Sequence, residues 1–358
     1  MGLSSGEWRN FRNPARSMRA WQAMIEVLSQ DAGTDAAGVP DRPQVSDLLS
    51  AVDVAMPFSV NPITLTLARS GDAGADRESL VRRAVALAVA EDLGEPTRHD
   101  ITTEAVVDAS ATAIGVLRLK QSAVVAGFAE FSAVCTSLDP AIRVTPLVPE
   151  GAEPSDVPLD IARVEGPAAP ILAAERVALN LAQRMSAIAT ATRRAVELAR
   201  PFGIAILDTR KTTPGLRAFE KRAVAIGGGQ NHRFGLFDGI LIKDNHVRLA
   251  GGTREAIMRA KRARPDAPIE VEVTTLEELD LALGTGVEAV LLDNMTPALI
   301  RNAVELAAGR CYIEVSGGIT LETLVGFLVP GVDAISLGAL THSAGHVDMS
   351  FEIEEFVC

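Results

Sequence analysis

The chain has 358 residues, 47% hydrophobic and 22% charged, which is ample for two packed domains and too apolar for a disordered chain. A formal net charge of -12 excludes a general nucleic-acid binder, whose affinity comes from phosphate contacts with a basic surface. No apolar run reaches the roughly 18 residues a membrane span requires. Cys135, Cys311 and Cys358 are scattered, without metal spacing or an adjacent base, which fits a reducing, cytoplasmic setting and no catalytic thiol.

Residues 1–77 form a compositional zone of their own and are read as a partly disordered N-terminal extension. Arg9, Arg12, Arg16 and Arg19 faintly resemble a transit peptide but lack a cleavage pattern, a short helix is expected around Arg19–Leu28, and Asp31–Pro43 reads as a linker. From there Leu80, Ala84, Leu87, Val89 and Leu93 predict an amphipathic helix. Asp100-Ile-Thr-Thr103 opens a series of strand-like runs at Ala113–Leu119, Ala123–Phe128, Ile142–Leu147 and Ile161–Gly166. A long helix is expected from about Ile171, with Val177, Leu181, Met185 and Ile188 on its apolar side and Arg176, Asn180 and Arg184 in one polar stripe. The predicted organisation is an α+β sandwich domain over 78–185, to which 344–358 returns, and an α/β barrel over 186–343.

Within the second part, strand cores centre on Ile206, Leu241, Val271, Leu291, Ile313 and Ile335 with helical stretches between them, the alternation of a parallel barrel. The polar residues fall where each apolar run ends: Asp208-Thr-Arg-Lys211, Lys243-Asp-Asn245, Glu272, Asp293-Asn294, Ser316-Gly-Gly318 and Gly338-Ala-Leu340. In parallel α/β folds that rim binds the ligand. Arg210, Lys211, Arg217, Lys221, His232, Arg233 and Lys243 gather within some forty residues of an otherwise acidic chain, as a small, multiply charged anion would require.

Ile269-Glu-Val-Glu-Val273 places Glu270 and Glu272 on one side of a strand. Buried carboxylates need a cation, so Glu272 pairs with Lys211 or Lys243, or joins Asp293 in a two-carboxylate Mg²⁺ site that leaves positions for phosphate, two roles compatible at different stages of turnover; Glu270 reads as structural or as a support behind the ligand residues. Neither a triphosphate-binding Gly-Lys-Ser/Thr loop nor a dinucleotide fingerprint occurs, so no organic cofactor is expected.

Leu-Asp208-Thr-Arg-Lys-Thr-Thr-Pro-Gly-Leu-Arg217, Gly227-Gly-Gly-Gln-Asn-His-Arg233 and Leu-Ile-Lys243-Asp-Asn-His246 together resemble the signature of the quinolinate phosphoribosyltransferases, across about Leu80 to Ile353. The resemblance implies a type II phosphoribosyltransferase: an α+β sandwich followed by an incomplete, six- to seven-stranded α/β barrel. Its reaction joins quinolinate to phosphoribosyl pyrophosphate and releases CO₂, giving nicotinate mononucleotide for NAD synthesis. It places quinolinate on Arg210, His232, Arg233 and Lys243, with Arg176 reaching into the site of a partner subunit. It places the phosphoribosyl donor on Lys211, Ser316, Gly317, Gly318, Gly338, Ala339 and His342, and Mg²⁺ with its pyrophosphate on Glu272 and Asp293. The implied assembly is a homodimer with shared active sites, or a hexamer built from it.

Two positions depart from the pattern: the loop Leu93–Asp100 is longer than usual, and Ala187 stands where glycine is common. The molybdenum-locus relatives share Thr-Arg-Lys and the triple glycine, but the complete Asn231-His-Arg233 and Lys243-Asp-Asn-His246 favour quinolinate. A catalytically idle binding module is disfavoured by Lys211, Glu272 and Asp293 all being present.

Overall fold

The computed structural model describes residues 77–357; the extension over 1–76, with its expected helix, and Cys358 lie outside the described residues. The first part runs α1 (Arg77–Leu93), α2 (Ile101–Val106), β1 (Thr112–Leu119), α3 (Phe128–Leu138), β2 (Arg143–Pro146), β3 (Leu159–Pro167) and α4 (Ala168–Ala199). The last strand of the chain, β10 (Met349–Val357), pairs antiparallel with β1, making a four-stranded sheet of order β10-β1-β3-β2. Leu117, Leu119, Ile161 and Val164 of this sheet share one core with Phe131 and Val134 of α3 and Ile171 of α4. At 1.5 Å per residue α4 is about 48 Å long, enough to carry that core on into the barrel, where its residues Ile188, Ala189 and Ala195 are fully buried.

Three local expectations are corrected. Ala123–Phe128 is not a strand: its backbone donors go to the side chains of α4, Val124 N to Thr190 Oγ1 at 2.8 Å and Ala126 N to Ser186 Oγ at 3.0 Å, and Val125 pairs with Ala152 and Gly151. Asp100 does not open a strand but caps α2, accepting from Thr102 N and Thr103 N at 3.1 and 3.0 Å. On α1 the buried positions are Val85 and Val89, while Leu87 is 71% exposed.

The second part holds six parallel strands, β4 (Ala205–Leu207), β5 (Ile240–Ile242), β6 (Ile269–Val273), β7 (Ala289–Asp293), β8 (Tyr312–Ser316) and β9 (Ala334–Ser336), in the order β4-β9-β8-β7-β6-β5. Helices α5 (Arg217–Ile226), α6 (Asp244–Ala250), α7 (Thr253–Ala263), α8 (Leu276–Leu283), α9 (Pro297–Ala307) and α10 (Ala339–His342) connect or follow the strands, α6 and α7 both coming after β5 and a 3-10 turn, Leu324–Phe327, coming after β8. One side of the sheet, with Val271, Val290, Leu292, Ile313 and Val315, packs on Ile257, Leu279 and Ile300 of those helices. A separate small cluster of Ala205, Leu207, Ala289, Tyr312 and Ala334 fills the inside. The sheet stops short of a closed barrel: β4 and β5 are not paired, and a single parallel bridge between Leu207 and Gln230 extends the β4 edge by one residue. The expected incomplete barrel is therefore six strands and a fragment of a seventh.

Among the described residues no helix is long and apolar enough to cross a membrane. Cys135 and Cys311 are buried, and burial pushes the Cys135 thiol up to about 12, so it is not a nucleophile.

Candidate active site

The segment that follows the seam is held by side chains rather than by a ladder. Asp208, fully buried at the end of β4, accepts from Lys221 Nζ and His232 N (2.8 Å) through Oδ1, and from Asn231 Nδ2 (2.6 Å) through Oδ2. Burial raises the Asp208 carboxyl and lowers the Lys221 ammonium, each opposed by the charge of the other. Lys221 also donates to His232 O at 2.9 Å, so this cation of the signature is committed to structure. Arg217 is committed in the same way: it donates to Phe234 O at 3.0 Å, Arg210 O at 3.3 Å and Thr212 Oγ1 at 2.9 Å, tying two loops together.

The triple glycine serves close packing. A Cβ on Gly227 would stand 2.5 Å from Ala189 O, and one on Gly229 would stand 2.7 Å from Thr192 Cγ2, both on α4. These glycines let the chain pass against the long helix before it turns to Asn231.

His232 and Arg233 are turned inward, 6% and 5% exposed. His232 Nδ1 accepts from Arg233 N at 2.7 Å, so the hydrogen of the neutral ring sits on Nε2 and is donated to Glu270 Oε2 at 3.0 Å. Burial lowers the imidazole below its ordinary value, in keeping with a neutral ring. His232, Glu270 and Glu314 bring their ligand-type atoms within 4.8 Å of one another. With its hydrogen on Nε2 the imidazole has no lone pair to offer there, so the trio is a hydrogen-bonded cluster and not a metal centre. Arg233 donates to Gly239 O at 3.0 Å; burial first, then the charge of Arg210, lowers its guanidinium, and the same two causes lower Arg217. Arg210 therefore stands among like charges, and its buried Nε meets no acceptor among the described residues. Such an arrangement leaves donors for an anion.

Further round the same rim, Lys243 Nζ lies 2.5 Å from Glu272 Oε2, with the lysine side chain 46% exposed and the glutamate 10%. Asp293 ends β7 beside Ser316 of β8 and accepts from Asn294 Nδ2 at 2.7 Å. Glu272 and Asp293 thus offer hard carboxylate oxygens at the ends of adjacent strands, a donor set that fits Mg²⁺ bound jointly with phosphate oxygens. A cavity of about 350 Å³ opens beside them, lined by Lys211, Ser316, Gly317, Gly318, Gly338, Ala339 and His342 among others. Gly317 has φ 102°, and a Cβ there would meet Asn294 Oδ1 and N, so glycine is required. A second cavity, about 370 Å³, lies on the antiparallel sheet between Thr112–Ile114 and Glu355–Val357, away from the cationic cluster.

Arg176 is not brought to its own chain's rim. It projects from α4, its side chain 62% exposed, with Glu175 at 3.8 Å. Arg184, expected in the same stripe, is instead largely buried, 17% exposed, and donates to Glu220 Oε1 at 3.0 Å and to Thr341 O. Glu220, Thr341 and Glu314 were not singled out from sequence: each is fully buried, and nothing in the spacing of one polar residue among apolar neighbours tells a buried carboxylate or hydroxyl from a surface one.

Comparison with known proteins agrees with this geometry. Residues 100–186 match the model of the quinolinate phosphoribosyl transferase N-terminal domain, and 188–352 match that of its C-terminal domain. A probable nicotinate-nucleotide pyrophosphorylase (carboxylating) of Bacillus subtilis (strain 168) is 50% identical over 194 residues, 54% of this chain and 67% of the relative. The chloroplastic nicotinate-nucleotide pyrophosphorylase (carboxylating) of Oryza sativa subsp. japonica is 36% identical over 358 aligned positions, 89% of this chain and 95% of the relative. The solved nicotinate-nucleotide pyrophosphorylase of Francisella tularensis superposes with a TM-score of 0.73 at 34% identity, covering 83% of this chain and all of that one. With both domain models matched in order and relatives covered nearly end to end, the chain belongs to the quinolinate phosphoribosyltransferase family.

Proposed function

We propose that the rim performs phosphoribosyl transfer to quinolinate with decarboxylation, in the synthesis of NAD. The quinolinate nitrogen forms a bond to C1 of phosphoribosyl pyrophosphate as the C1–O bond to pyrophosphate breaks. The bond to the C2 carboxylate then breaks, CO₂ leaves, and the electron pair remaining at C2 beside the quaternised nitrogen takes up a proton.

Arg210, His232, Arg233 and Lys243 form the quinolinate site, the three cations facing its two carboxylates and His232 held in place by Glu270, and Arg176 of the partner subunit completes the site in a homodimer or a hexamer built from it. Lys211, Ser316, Gly317, Gly318, Gly338, Ala339 and His342 receive the phosphoribosyl donor in their shared cavity. Glu272 and Asp293 would hold Mg²⁺, which when bound neutralises charge on the pyrophosphate. Lys211 adds a cation where the leaving group gains charge, and a fixed charge in a water-poor site is worth more than the same charge in water. The setting is cytoplasmic.

One observation carries this reading: Arg210, which stands close to the charges of Arg217 and Arg233 and has a buried Nε left for a ligand, directly precedes Lys211, which lines the donor cavity. The test is CO₂ release from carboxyl-labelled quinolinate by the purified chain with Mg²⁺, with and without phosphoribosyl pyrophosphate. Donor-dependent release is expected; release in neither case overturns the reading.

A further inference from the structure

Residues 209–216 leave β4 and run without regular structure to α5, so their backbone groups need partners from elsewhere. Two buried side chains supply them. Thr341, fully buried on α10, donates from Oγ1 to Lys211 O at 2.8 Å. Glu220, fully buried on α5, accepts from Thr213 N at 3.1 Å and from Thr213 Oγ1 at 2.8 Å. Arg184 of α4 ties these two points to each other, since its guanidinium donates both to Glu220 Oε1 and to the carbonyl of Thr341. The stem of Lys211 rests on the same short helix: a Cβ at Gly338 would stand 2.9 Å from Lys211 Cδ and 3.2 Å from His342 Nε2.

Lys211 itself is exposed and extends into the donor cavity. A lysine ammonium is a movable point charge on a flexible stem, so what fixes its location is the backbone it grows from and the surface its stem lies on. Both come from α10. The loop that carries Lys211 and the short helix with Ala339 and His342, together with its capping Gly338, are thus one unit, fastened at Thr341 and clasped by Arg184.

We infer that Thr341 and Arg184 are positioning residues for Lys211, setting its distance from the phosphate cradle and through it the affinity for the phosphoribosyl donor. This rests on the reading of the cavity as the donor site. Neither side chain touches substrate.

The test compares Thr341→Val, which keeps the shape and loses the hydroxyl, with Thr341→Ser, which keeps the hydroxyl, and adds Arg184→Lys, which keeps the charge but not the fork. Thr341→Val is expected to raise KM for phosphoribosyl pyrophosphate about 3–12-fold, the range for one lost hydrogen bond. The Kd for quinolinate, read by calorimetry, should be unchanged, and Thr341→Ser should return the donor KM to within about twofold of wild type. Arg184→Lys should shift the donor KM in the same direction. An unchanged donor KM in Thr341→Val, equal defects in Val and Ser, or a quinolinate Kd that shifts along with the donor KM would each overturn the inference, the last by showing a merely structural role. A wild-type chain without turnover sinks the reading it rests on, whereas normal wild-type turnover with a normal Thr341→Val variant sinks only the inference.

Discussion

Lys243 and Glu272 neutralise one another at 2.5 Å, although one is assigned to the quinolinate carboxylates and the other to the metal. When quinolinate draws Lys243 away, Glu272 is released for a cation, so the two ligands favour each other's binding. Lys243→Met is expected to weaken quinolinate by roughly 10–100-fold, as for a lost charged hydrogen bond. The same change removes an ion pair that is open to solvent on its lysine side, worth on the order of 1 kcal/mol, and should raise divalent affinity up to roughly fivefold. Glu272→Ala and Asp293→Ala should do the reverse, raising the Mg²⁺ requirement and weakening the donor with little effect on quinolinate alone. Titration calorimetry of each ligand on each variant decides it; a higher Mg²⁺ requirement in Lys243→Met would mean that the pair does not compete with the metal.

Substrate charge gives a second prediction. Nicotinate lacks the C2 carboxylate, so it would leave cations of the Arg210, Arg233 and Lys243 cluster unmatched, and a site built for a polar group rejects the analogue lacking it by about 10⁴-fold or more. Steady-state assays with both acids should show nicotinate turnover near background. Comparable turnover of the two would mean that the cluster does not read the second carboxylate.

Assembly gives a third, from Arg176 standing 62% exposed on α4 while Arg210 stands at the rim. Arg176→Ala and Arg210→Ala should each be nearly inactive alone. Mixed under subunit exchange, they form dimers in which one site collects both defects and the other neither, so random pairing should restore about a quarter of wild-type activity. Heterodimers seen by mass spectrometry without recovered activity would place both arginines in one chain's site.

A fourth concerns pH. His232 is buried with a lowered pKa, so in the window below its ordinary value near 6.5 the unfolded chain binds a proton that the folded chain does not. Its contribution is fully present above the unfolded pKa and is lost as pH falls towards the folded one. Denaturant unfolding should therefore show stability dropping with pH below about 6.5, less steeply in His232→Gln. Identical slopes in the two proteins would mean that the histidine is protonated in the fold.

The strand cores at Ile206, Leu241, Val271, Leu291, Ile313 and Ile335 were readable because each is a short stretch rich in apolar residues with polar or glycine residues at its end, and the observed strands follow them. Ala123–Phe128 misled because an extended chain whose hydrogen bonds go to Ser186 and Thr190 has the same composition as one paired in a sheet. At the site, the clustering of cations could be read but their division of labour could not. Arg217 and Lys221 carry the same charge as Arg210 and Lys211, yet the first two are spent on Phe234 O, Arg210 O, Asp208 and His232 O, and only the fold distinguishes them. Likewise Arg176 and Arg184 occupy one stripe of one helix, and the packing of Glu220 and Thr341 against the second is what separates them.

The seam between β4 and β5 bears on how change is tolerated along the chain. A ladder is made by backbone atoms, so the residues of β6 or β7 can be exchanged among apolar types of similar size without unpairing a strand. Past Gln230 the sheet has no such insurance: Asn231, His232 and Arg233 keep their course only because particular side chains, Asp208, Lys221 and Arg217, receive or donate particular hydrogen bonds. Replacing Asp208 alone withdraws three partners at once, and no neighbouring strand remains to hold the segment in place. The molecule is therefore most brittle, and its sequence most specific, at the one stave of the barrel that the sheet does not hold.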